Sequence, residues 1–305
     1  MEKLDSEVIV IGSGSAGITA AIYLKRANAN VVIIDSDAPG GLLNKISIVE
    51  NYPGYGKITG PDLAYNMFMQ MMDLNILYKQ EKVIDIIDNG EVKIVKTETN
   101  EYITKSIIIA TGRKAKSLGL PNENDLIGSG ISWCAICDGA LFKDKDVVVV
   151  GGGNSALEES LYLSAIAKSI TIVHHRNEFT AENKIQDLVK KNPKIRIFYN
   201  SEVKQLNTSN NILNSVEIVN DEREKNIIKA EGMFIYIGFE PAISFLSNLN
   251  IEKKNGYIVV NENMKTSINN IYACGDVIAK DVYQITTAVG EASIAATTYL
   301  RENAK

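Results

Sequence analysis

"DSEVIVIGSGSAGITAAIYLKRANANVVIID", residues 5–35, is the most informative stretch of the chain. An apolar run, a glycine-rich turn, an amphipathic segment and a second apolar run follow one another, which predicts a strand, a turn, a helix and a second strand. Gly12 permits the tight turn, Gly14 lets the backbone approach a pyrophosphate, and Gly17 lets the helix pack close to the strand. Because the first amides of the helix then face the phosphates, the stretch predicts a site for an adenine dinucleotide such as FAD or NAD. Asp35 at its end can accept hydrogen bonds from the ribose.

The same pattern recurs in residues 144–174, DKDVVVVGGGNSALEESLYLSAIAKSITIVH. Its turn aligns with that of the first copy at Gly151, Gly153 and Ala156. A glycine turn alone is weak evidence, but a strand before it and a helix and a second strand after it make the pattern specific. Two such copies in one chain predict two dinucleotide-binding units.

The two copies differ at the end of the second strand, where the ribose would be recognised. In place of an acid, the second copy has His174, followed by His175 and Arg176. Basic side chains suit a ribose that carries a 2′-phosphate, which a carboxylate would repel. The second copy therefore predicts an NADP site, although a plain solvated strand end would also explain these residues.

A third nucleotide signal lies near the C-terminus, in TSINNIYACGDVIAK, residues 266–280. An apolar strand leads into Gly275 and Asp276, and the residues after them predict a helix. Asp276 could accept a ribityl hydroxyl while the helix points its positive end toward a flavin ring. On spacing alone, a strand, turn and helix without a ligand explain the segment equally well.

These motifs predict an α/β fold with two Rossmann-like dinucleotide-binding domains of the three-layer ββα type, the second inserted in the first. The glycine-containing segments ATGRK, 110–114, and GFEP, 238–241, mark the two crossings between them. We expect a discontinuous FAD-binding domain over 1–113 and 239–305. The inserted nicotinamide-nucleotide domain is expected over 114–238 and carries a pair of cysteines.

The composition excludes several other classes of protein. A formal net charge of -5 argues against a nucleic-acid-binding role. The N-terminus lacks the apolar segment and cleavage site of a signal peptide, and no stretch approaches the roughly 18 apolar residues of a membrane span. We therefore expect a cytoplasmic protein without a membrane partner, a compartment in which structural disulfides are rare.

Two of the three cysteines, Cys134 and Cys137, lie in ISWCAICDGALF, residues 131–142. Structural zinc needs four ligands, and the other cysteine and the histidines fall in other motifs, so no metal is expected. A disulfide across two residues closes almost no loop and would stabilise little. A CxxC pair at a helix start can instead cycle between disulfide and dithiol. Asp138 could move the proton that dithiol formation demands, or complement the helix dipole.

Six motifs recur in the order and spacing of one family: GSGSAG, GGLLNKISIVENYPG, ATGRK, SWCAICDGALF, GGGNSALEE and YACGDV. Through them the chain resembles the low-molecular-weight thioredoxin reductases over nearly its whole length. The resemblance implies bound FAD, a homodimer, and reduction of thioredoxin. It also implies that Cys137 lies nearer the flavin while Cys134 attacks the disulfide of the partner.

By position, the resemblance assigns residues to the two nucleotides. The residues implied to contact FAD are Gly12, Gly14, Gly17, Asp35, Gly41, Asn51, Gly275, Asp276 and Gln284. The residues implied to contact NADPH or NADH are Gly151, Gly153, Asn154, Ala156, His175 and Arg176.

Three departures from the family pattern bear on the electron donor and the flavin. The NADPH-reading pattern HRRxxxR is replaced by HHRNEFT, 174–180, which keeps only Arg176 of its arginines. Histidine is mostly uncharged at neutral pH, so phosphate recognition is weakened. Tyr283 stands where an arginine usually precedes Gln284, and Leu42 stands where a glutamine that touches the flavin is common.

The donor therefore has alternatives. One branch of these reductases takes electrons from ferredoxin, has lost nicotinamide binding, and also carries a tyrosine at the position of Tyr283. That branch degrades the second glycine motif, which is intact here, so NADPH or NADH is the favoured donor and ferredoxin the alternative. A flavin dithiol oxidase that uses oxygen is a second alternative. Cys274 is expected to pack in the core, and Trp133 beside the dithiol.

Overall fold

The computed structural model describes residues 5–46 and 48–303, except for the side chain of Cys137. The chain divides into two compact units, one made of Met1–Lys114 and Glu240–Lys305 and the other of Ala115–Phe239. Each division lies one residue beyond the boundary expected from the sequence. Within the described part of the chain, we find no helix with the length and apolar character to cross a membrane.

Six α-helices lie in the described residues. One of them lies in the cysteine segment, and another lies in the loop after the second repeat. In chain order they are α1 (Ser15–Arg26), α2 (Gly60–Asp73), α3 (Ala135–Asp138), α4 (Asn154–Ser164), α5 (Asn183–Lys191) and α6 (Ile285–Glu302).

The strands are two to nine residues long. In chain order they are β1 (Ser6–Ile11), β2 (Val31–Asp35), β3 (Leu77–Gln80), β4 (Val83–Asn89), β5 (Val92–Thr97), β6 (Glu101–Ile109), β7 (Arg113–Ala115), β8 (Ile131–Ser132), β9 (Asp146–Val150), β10 (Ser169–Val173), β11 (Ile195–Phe198), β12 (Ser201–Ser209), β13 (Ile212–Asn220), β14 (Lys225–Lys229), β15 (Gly232–Ile235), β16 (Phe239–Pro241), β17 (Lys253–Lys254), β18 (Tyr257–Ile258) and β19 (Ile271–Ala273).

The first unit is built on a sheet of order β3-β2-β1-β6-β5-β4, with β19 also paired to β6. The pairs among β1, β2, β3, β6 and β19 are parallel, and β4, β5 and β6 pair antiparallel. Val8 and Val10 belong to a core cluster that includes buried residues of α1, α2 and α6, whereas Ile9 and Ile11 belong to the cluster on the opposite face. A strand buried on both faces needs a continuous apolar run, which explains why β1 reads VIVI.

The second unit has three layers. Its parallel sheet has the order β11-β10-β9-β15-β8, and a separate antiparallel sheet has the order β12-β13-β14. Val147 and Val149 of β9 pack in a cluster with buried residues of α4 and α5. Val148 and Val150 pack in a cluster that includes buried residues of β12 and β13. Helices therefore cover one face of the parallel sheet and antiparallel strands cover the other, which confirms the predicted fold class.

Both repeats predicted from the sequence form the expected elements. The first copy folds as β1, α1 and β2, and the second as β9, α4 and β10. In each copy, the two strands pair in parallel, so the glycine turn lies at the carboxyl edge of the sheet. Nucleotides bind at this edge in doubly wound folds.

Candidate functional site

The first glycine turn has three glycines with three different environments. Gly12 has φ +102°, and a Cβ there would lie 2.5 Å from the carbonyl oxygen of Ala110. A Cβ on Gly17 would lie 1.8 Å from the oxygen of Gly12, so only glycine lets α1 approach the turn. Gly14 has an ordinary φ of -72°, and, apart from its chain neighbours and its own helix, no described atom lies within 4 Å of its ideal Cβ. The protein's own packing does not require Gly14, and the open space beside it fits a diphosphate.

The end of β2 is tied to this turn. The amide and the hydroxyl of Ser13 donate to Oδ2 of Asp35 at 2.5 and 2.8 Å. The loop after β2 returns to the turn, because the Gly40 amide donates to the Ser13 oxygen at 2.8 Å. An ideal Cβ on Gly41 would lie 3.4 Å from the Cα of Gly14. The structure thus brings the predicted residues Gly14, Asp35 and Gly41 together at one edge.

The predicted Gly275 and Asp276 lie in the turn after β19, within a group of buried charges. Gly275 has φ +79°, a conformation that favours glycine. Oδ2 of Asp276 lies 3.3 Å from Nε of Arg113, and Oδ1 lies 3.4 Å from Nζ of Lys280. Lys280 in turn donates to both carboxylate oxygens of Glu291, at 3.1 and 2.9 Å. The carboxylates of Asp276 and Glu291 therefore balance the positive charges of Arg113 and Lys280.

Asn51 and Gln284 lie far apart in the sequence and meet in the fold. Nδ2 of Asn51 donates to Oε1 of Gln284 at 3.1 Å. Gln284 is also the N-cap of α6, where it and Thr287 form a capping box. Tyr283, which departs from the family pattern, lies with its ring centroid 4.4 Å from the guanidinium carbon of Arg113. Arg113 thus supplies a cation next to the position where the family usually has its own arginine.

The polar groups of this unit fit a dinucleotide with a polyol. Four buried side-chain oxygens of this unit have no hydrogen-bond partner among the described residues: Oγ of Ser6 and of Ser106 lie within β1 and β6, whereas Oγ1 of Thr111 and Oδ1 of Asp276 follow the ends of β6 and β19. Buried polar atoms normally have partners, so such atoms mark places where a ligand can supply one. Together with the open space at Gly14, the oxygens of Thr111 and Asp276 are compatible with a flavin dinucleotide along this edge.

The second glycine turn repeats the geometry with one difference. Gly151 has φ +141°, and a Cβ there would lie 2.3 Å from the carbonyl oxygen of Tyr236. Gly153 caps α4 with φ -89°, and the nearest atom to its ideal Cβ is Oγ1 of Thr180 at 3.8 Å. Ala156 is fully buried at the position equivalent to Gly17, so this helix accommodates a methyl group that α1 cannot. Oδ1 of Asn154 accepts the Glu182 amide at 2.8 Å, which fixes the loop opposite the turn.

The structure separates the two histidines that follow β10. His174 is buried, and its ring would lie about 2.5 Å from a Cβ on Gly152. Its Nε2 is 2.9 Å from the carbonyl oxygen of Glu178, and burial lowers the pKa of the imidazole. The interpretation that His174 helps to read a phosphate is therefore wrong. His175 and Arg176 are exposed, and Nε of Arg176 donates to Nε2 of His175 at 3.3 Å.

The cysteine segment begins at the end of β8. Cys134 takes part in a disulfide and is only 9% exposed, while the predicted Cys137 side chain lies outside the described atoms. The Cys134 amide donates to Oγ of Ser132 at 3.0 Å, and that hydroxyl donates to Oδ2 of Asp138 at 2.5 Å. Ser132 therefore links the backbone of Cys134 to the predicted proton carrier Asp138.

Two further groups near this segment were not found from the sequence. The Ala135 amide at the start of α3 donates to the hydroxyl oxygen of Tyr236 at 3.0 Å. Burial, followed by the charge of Glu159, raises the pKa of Tyr236. Burial and the neighbouring Glu158 raise the pKa of Glu159 to about 7, and its Oε2 is buried without a hydrogen-bond partner among the described residues. Only one signal hinted at Glu159, namely a second carboxylate directly beside Glu158 on a helix that must bury one face.

The buried cluster of the first unit was also missed. Arg113 lies in the ATGRK segment, but its charge gives no clue to a partner in a distant turn. Glu291 offered a better signal, because it lies on α6 between the buried alanines Ala288, Ala292 and Ala295. A carboxylate beside an apolar helix face predicts a buried cationic partner.

Comparisons with known proteins extend over both units. The family model described as "Pyridine nucleotide-disulphide oxidoreductase" matches residues 6–292. A thioredoxin reductase of Bacillus subtilis (strain 168) is 41% identical over 291 residues, which cover 95% of this chain and 92% of that protein.

Solved structures show the same similarity in three dimensions. The crystal structure of Lactococcus lactis thioredoxin reductase in its FR conformation is 39% identical, covers 97% of this chain and 98% of that chain, and has a TM-score of 0.85. The crystal structure of T. acidophilum thioredoxin reductase is 32% identical, covers 99% and 100% of the two chains, and has a TM-score of 0.84. The similarity therefore includes the glycine turns, the cysteine segment and the turn after β19 alike.

Proposed function

This chain belongs to the pyridine nucleotide-disulphide oxidoreductase family, and within it to the thioredoxin reductases, and we propose that it passes electrons from a nicotinamide nucleotide through bound FAD to the disulfide of thioredoxin. The observation that carries the proposal is the disulfide-bonded Cys134 at the start of α3, linked through Ser132 to Asp138. A carboxylate so close to a redox cysteine suits thiol–disulfide exchange, which needs a proton at each turnover.

We assign the FAD to the first unit. The residues proposed to hold it are Gly12, Gly14, Gly17, Asp35, Gly41, Asn51, Gly275, Asp276 and Gln284. When bound, FAD would accept a hydride from the nicotinamide and supply two electrons to the Cys134–Cys137 disulfide. The open space at Gly14 supports this assignment, and so does Oδ1 of Asp276, which accepts no hydrogen bond from the described residues.

The protein's own residues carry out the exchange with thioredoxin. Cys134, as a thiolate, attacks one sulfur of the thioredoxin disulfide, whose S–S bond breaks as a mixed disulfide forms. Cys137 then attacks the sulfur of Cys134, which releases the second thioredoxin sulfur and restores the enzyme disulfide. The two thioredoxin sulfurs gain two protons and two electrons in all, and the enzyme dithiol loses them.

Asp138 is proposed to hold the proton that moves in this exchange. The Ser132 hydroxyl fixes its carboxylate at 2.5 Å, and the same hydroxyl oxygen accepts the Cys134 amide. General acid–base catalysis by a positioned side chain contributes about 10²–10⁴ in rate. The shared contact to Ser132 therefore keeps the Asp138 carboxylate near the cysteine segment, where the proton is transferred.

The second unit is proposed to bind NADPH or NADH. Its glycine turn is intact at Gly151, Gly153 and Ala156, which supports a nicotinamide donor over ferredoxin. Asn154 lies at the start of α4, and the exposed His175 and Arg176 are available for a 2′-phosphate.

An anaerobic titration of the flavin absorbance with NADPH, NADH and reduced ferredoxin in turn tests the proposal. We expect rapid bleaching by NADPH or NADH, followed by reoxidation when oxidised thioredoxin is added. Replacing Arg176 with alanine should weaken NADPH binding by about tenfold or more and leave NADH binding unchanged, because one charged phosphate contact contributes about 1.5–3 kcal/mol.

Other outcomes would redirect the assignment. Bleaching by ferredoxin alone would make the second unit a carrier of the dithiol without a nucleotide role. Reoxidation by oxygen but not by thioredoxin would indicate a dithiol oxidase. We also propose a homodimer, as the resemblance implies, and sedimentation at micromolar concentration would detect it.

A further inference from the structure

The carboxylate of Glu291 is placed where an acid is costly. It lies on α6 among buried alanines, its side chain is only 15% exposed, and burial raises its pKa. A buried carboxylate is tolerated when other groups compensate its charge and satisfy its oxygens. Glu291 has two such partners, the Lys280 ammonium and the Gly275 amide, which donates to Oε2 at 2.9 Å.

Lys280 lies between two carboxylates and forms an ion pair with each, but of the two only Glu291 accepts hydrogen bonds from its ammonium. It donates to both oxygens of Glu291, at 3.1 and 2.9 Å, and its side chain is 11% exposed. Its distance to Oδ1 of Asp276 is 3.4 Å, within ion-pair range, yet that oxygen accepts no hydrogen bond from the described residues. The ammonium therefore directs its carboxylate hydrogen bonds to Glu291, and its contact with Oδ1 of Asp276 is an ion pair without a hydrogen bond.

Asp276 therefore has one carboxylate oxygen available to accept a hydrogen bond, and neighbouring cations compensate its negative charge. Oδ2 pairs with Arg113 at 3.3 Å, and the charge of Lys280 lies nearby. Oδ1 is buried and accepts no hydrogen bond from the described residues, and a bound hydroxyl group can donate one. If Lys280 moved onto Oδ1, the acceptor would be consumed before a ligand could use it.

We propose that Glu291 is a positioning residue for the flavin, which acts through Lys280 and Gly275 to keep Oδ1 of Asp276 free for a ligand hydroxyl. The inference rests on the proposed function, because it takes the ligand to be the polyol of FAD. Glu291 itself touches neither the hydroxyl nor the reacting atoms. It sets the position of the cation and the conformation of the turn in which Asp276 lies.

The test measures FAD affinity of the apoprotein by quenching of flavin fluorescence. In Glu291→Gln, the amide oxygen still accepts from Gly275, but a neutral group holds Lys280 less strongly. We expect the Kd for FAD to rise about tenfold or more, since the carboxylate that pairs with the ammonium is replaced by a neutral amide. Adding Lys280→Met to Glu291→Gln removes the competing ammonium, and the double variant should bind FAD more tightly than Glu291→Gln alone.

A matched control lies on the same helix. Glu302 accepts from Lys265 at 2.8 Å and from the Tyr272 hydroxyl at 2.7 Å, in an ion pair that does not include Asp276. Glu302→Gln should lower thermal stability and leave the Kd for FAD unchanged.

Three results would overturn the inference: wild-type FAD affinity in Glu291→Gln, the same loss of affinity in Glu302→Gln, or weaker binding by the double variant than by Glu291→Gln. If Glu291→Gln fails to fold, the double variant alone decides, because a Kd within about threefold of wild type supports the inference and a loss above about tenfold contradicts it. Failure of the wild-type apoprotein to bind FAD would instead refute the proposed function.

Discussion

Gly14 and Gly17 show how two glycines in one turn serve different purposes. Gly17 is required by the fold, because any side chain would run into the backbone of Gly12. Gly14 is not required by the fold, because its conformation is ordinary and the space around it is open. Within the same motif, packing therefore constrains Gly17, whereas the proposed ligand constrains Gly14. Substitutions at the two positions distinguish these constraints.

We expect Gly14→Ala to fold normally and to lose FAD. The added methyl meets no described atom within 4 Å, so the melting temperature of the apoprotein should hardly change, whereas a methyl in the phosphate space should weaken FAD by at least about tenfold, or about 1.4 kcal/mol. Calorimetric titration of FAD measures the change. Gly153→Ala is the matched control in the second unit, and it should weaken the nicotinamide nucleotide while leaving FAD affinity intact.

Glu159 makes the stability of the second unit depend on pH. Its pKa is raised from 4.5 to about 7 by burial and by Glu158. A raised folded-state pKa means that the contribution to stability is present in full below pH 4.5 and is lost as the pH rises through 7. Glu159→Gln should thus be more stable than wild type at pH 8, by about 2 kcal/mol after allowance for partial solvent access, and equally stable near pH 4.5.

Thermal melts between pH 4.5 and 8.5 measure this difference. Replacing the exposed Asp187 of α5 with asparagine serves as the control, since it removes one acid of the same unit and leaves both Glu158 and Glu159 in place. A stability gap in Glu159→Gln that is constant across this pH range would rule out the titration of Glu159 as its cause.

At the scale of elements, the sequence predicted the two repeats well because their signals are local. The apolar runs and the glycine spacing predict β1, α1 and β2 within residues 5–35, and likewise β9, α4 and β10 within residues 144–174. The contacts that the sequence did not reveal join distant segments. Arg113 and Asp276 meet because β19 pairs with β6, and no periodicity encodes that pairing.

The site shows the same division between local and distant information. Asp138 next to the cysteines was predicted from adjacency, but its link through Ser132 to the Cys134 amide depends on the bend after β8. His174 was misread because alignment with Asp35 gives the position of a residue along the strand and not the direction of its side chain. Its ring packs beneath Gly152 instead of facing the ligand edge.

Tyr236 connects β15 to the cysteine helix, and its hydroxyl tests that connection. In Tyr236→Phe, the Ala135 amide loses its acceptor at the start of α3. A buried donor left without a partner costs about 1–3 kcal/mol, so the unfolding free energy should fall by that amount and the Ala135 amide should exchange faster with deuterium.

The control for this prediction is Tyr199→Phe in the same unit, where the ring packs against Phe179 at 4.9 Å between centroids. It should leave exchange at Ala135 unchanged. Equal exchange rates in wild type and Tyr236→Phe would show that the hydroxyl does not hold the helix.

At the scale of the whole molecule, the chain uses one nucleotide-binding design twice and gives the two copies different tasks. The first unit has a turn that tolerates no side chain at Gly17 and a buried charge cluster at Asp276. The second accommodates Ala156 and carries the disulfide of Cys134. On the proposed function, the residues that would hold the flavin and the disulfide of Cys134 thus lie in different compact units of the chain.

Because of this division, Cys134→Ser should interrupt electron flow at one step. The flavin should still be reduced by the donor at the wild-type rate, since none of the residues proposed to hold FAD or the nicotinamide nucleotide is changed. Thioredoxin reduction should fall by more than about 10³, because a hydroxyl cannot replace a thiolate in disulfide exchange. Stopped-flow absorbance of the flavin and a thioredoxin assay separate the two steps. Normal thioredoxin turnover in this variant would refute the proposed route.

The burial of one histidine beside the exposure of the other has a spectroscopic consequence. The chain contains only two histidines, and their rings meet edge to face with centroids 5.0 Å apart. The Glu178 carbonyl can accept only from a protonated Nε2, which fixes the tautomer of His174 and leaves its Nδ1 bare. Proton NMR of the imidazoles therefore offers two assigned probes at a single loop, one that reports whether the loop is folded and one that reports when a nucleotide arrives.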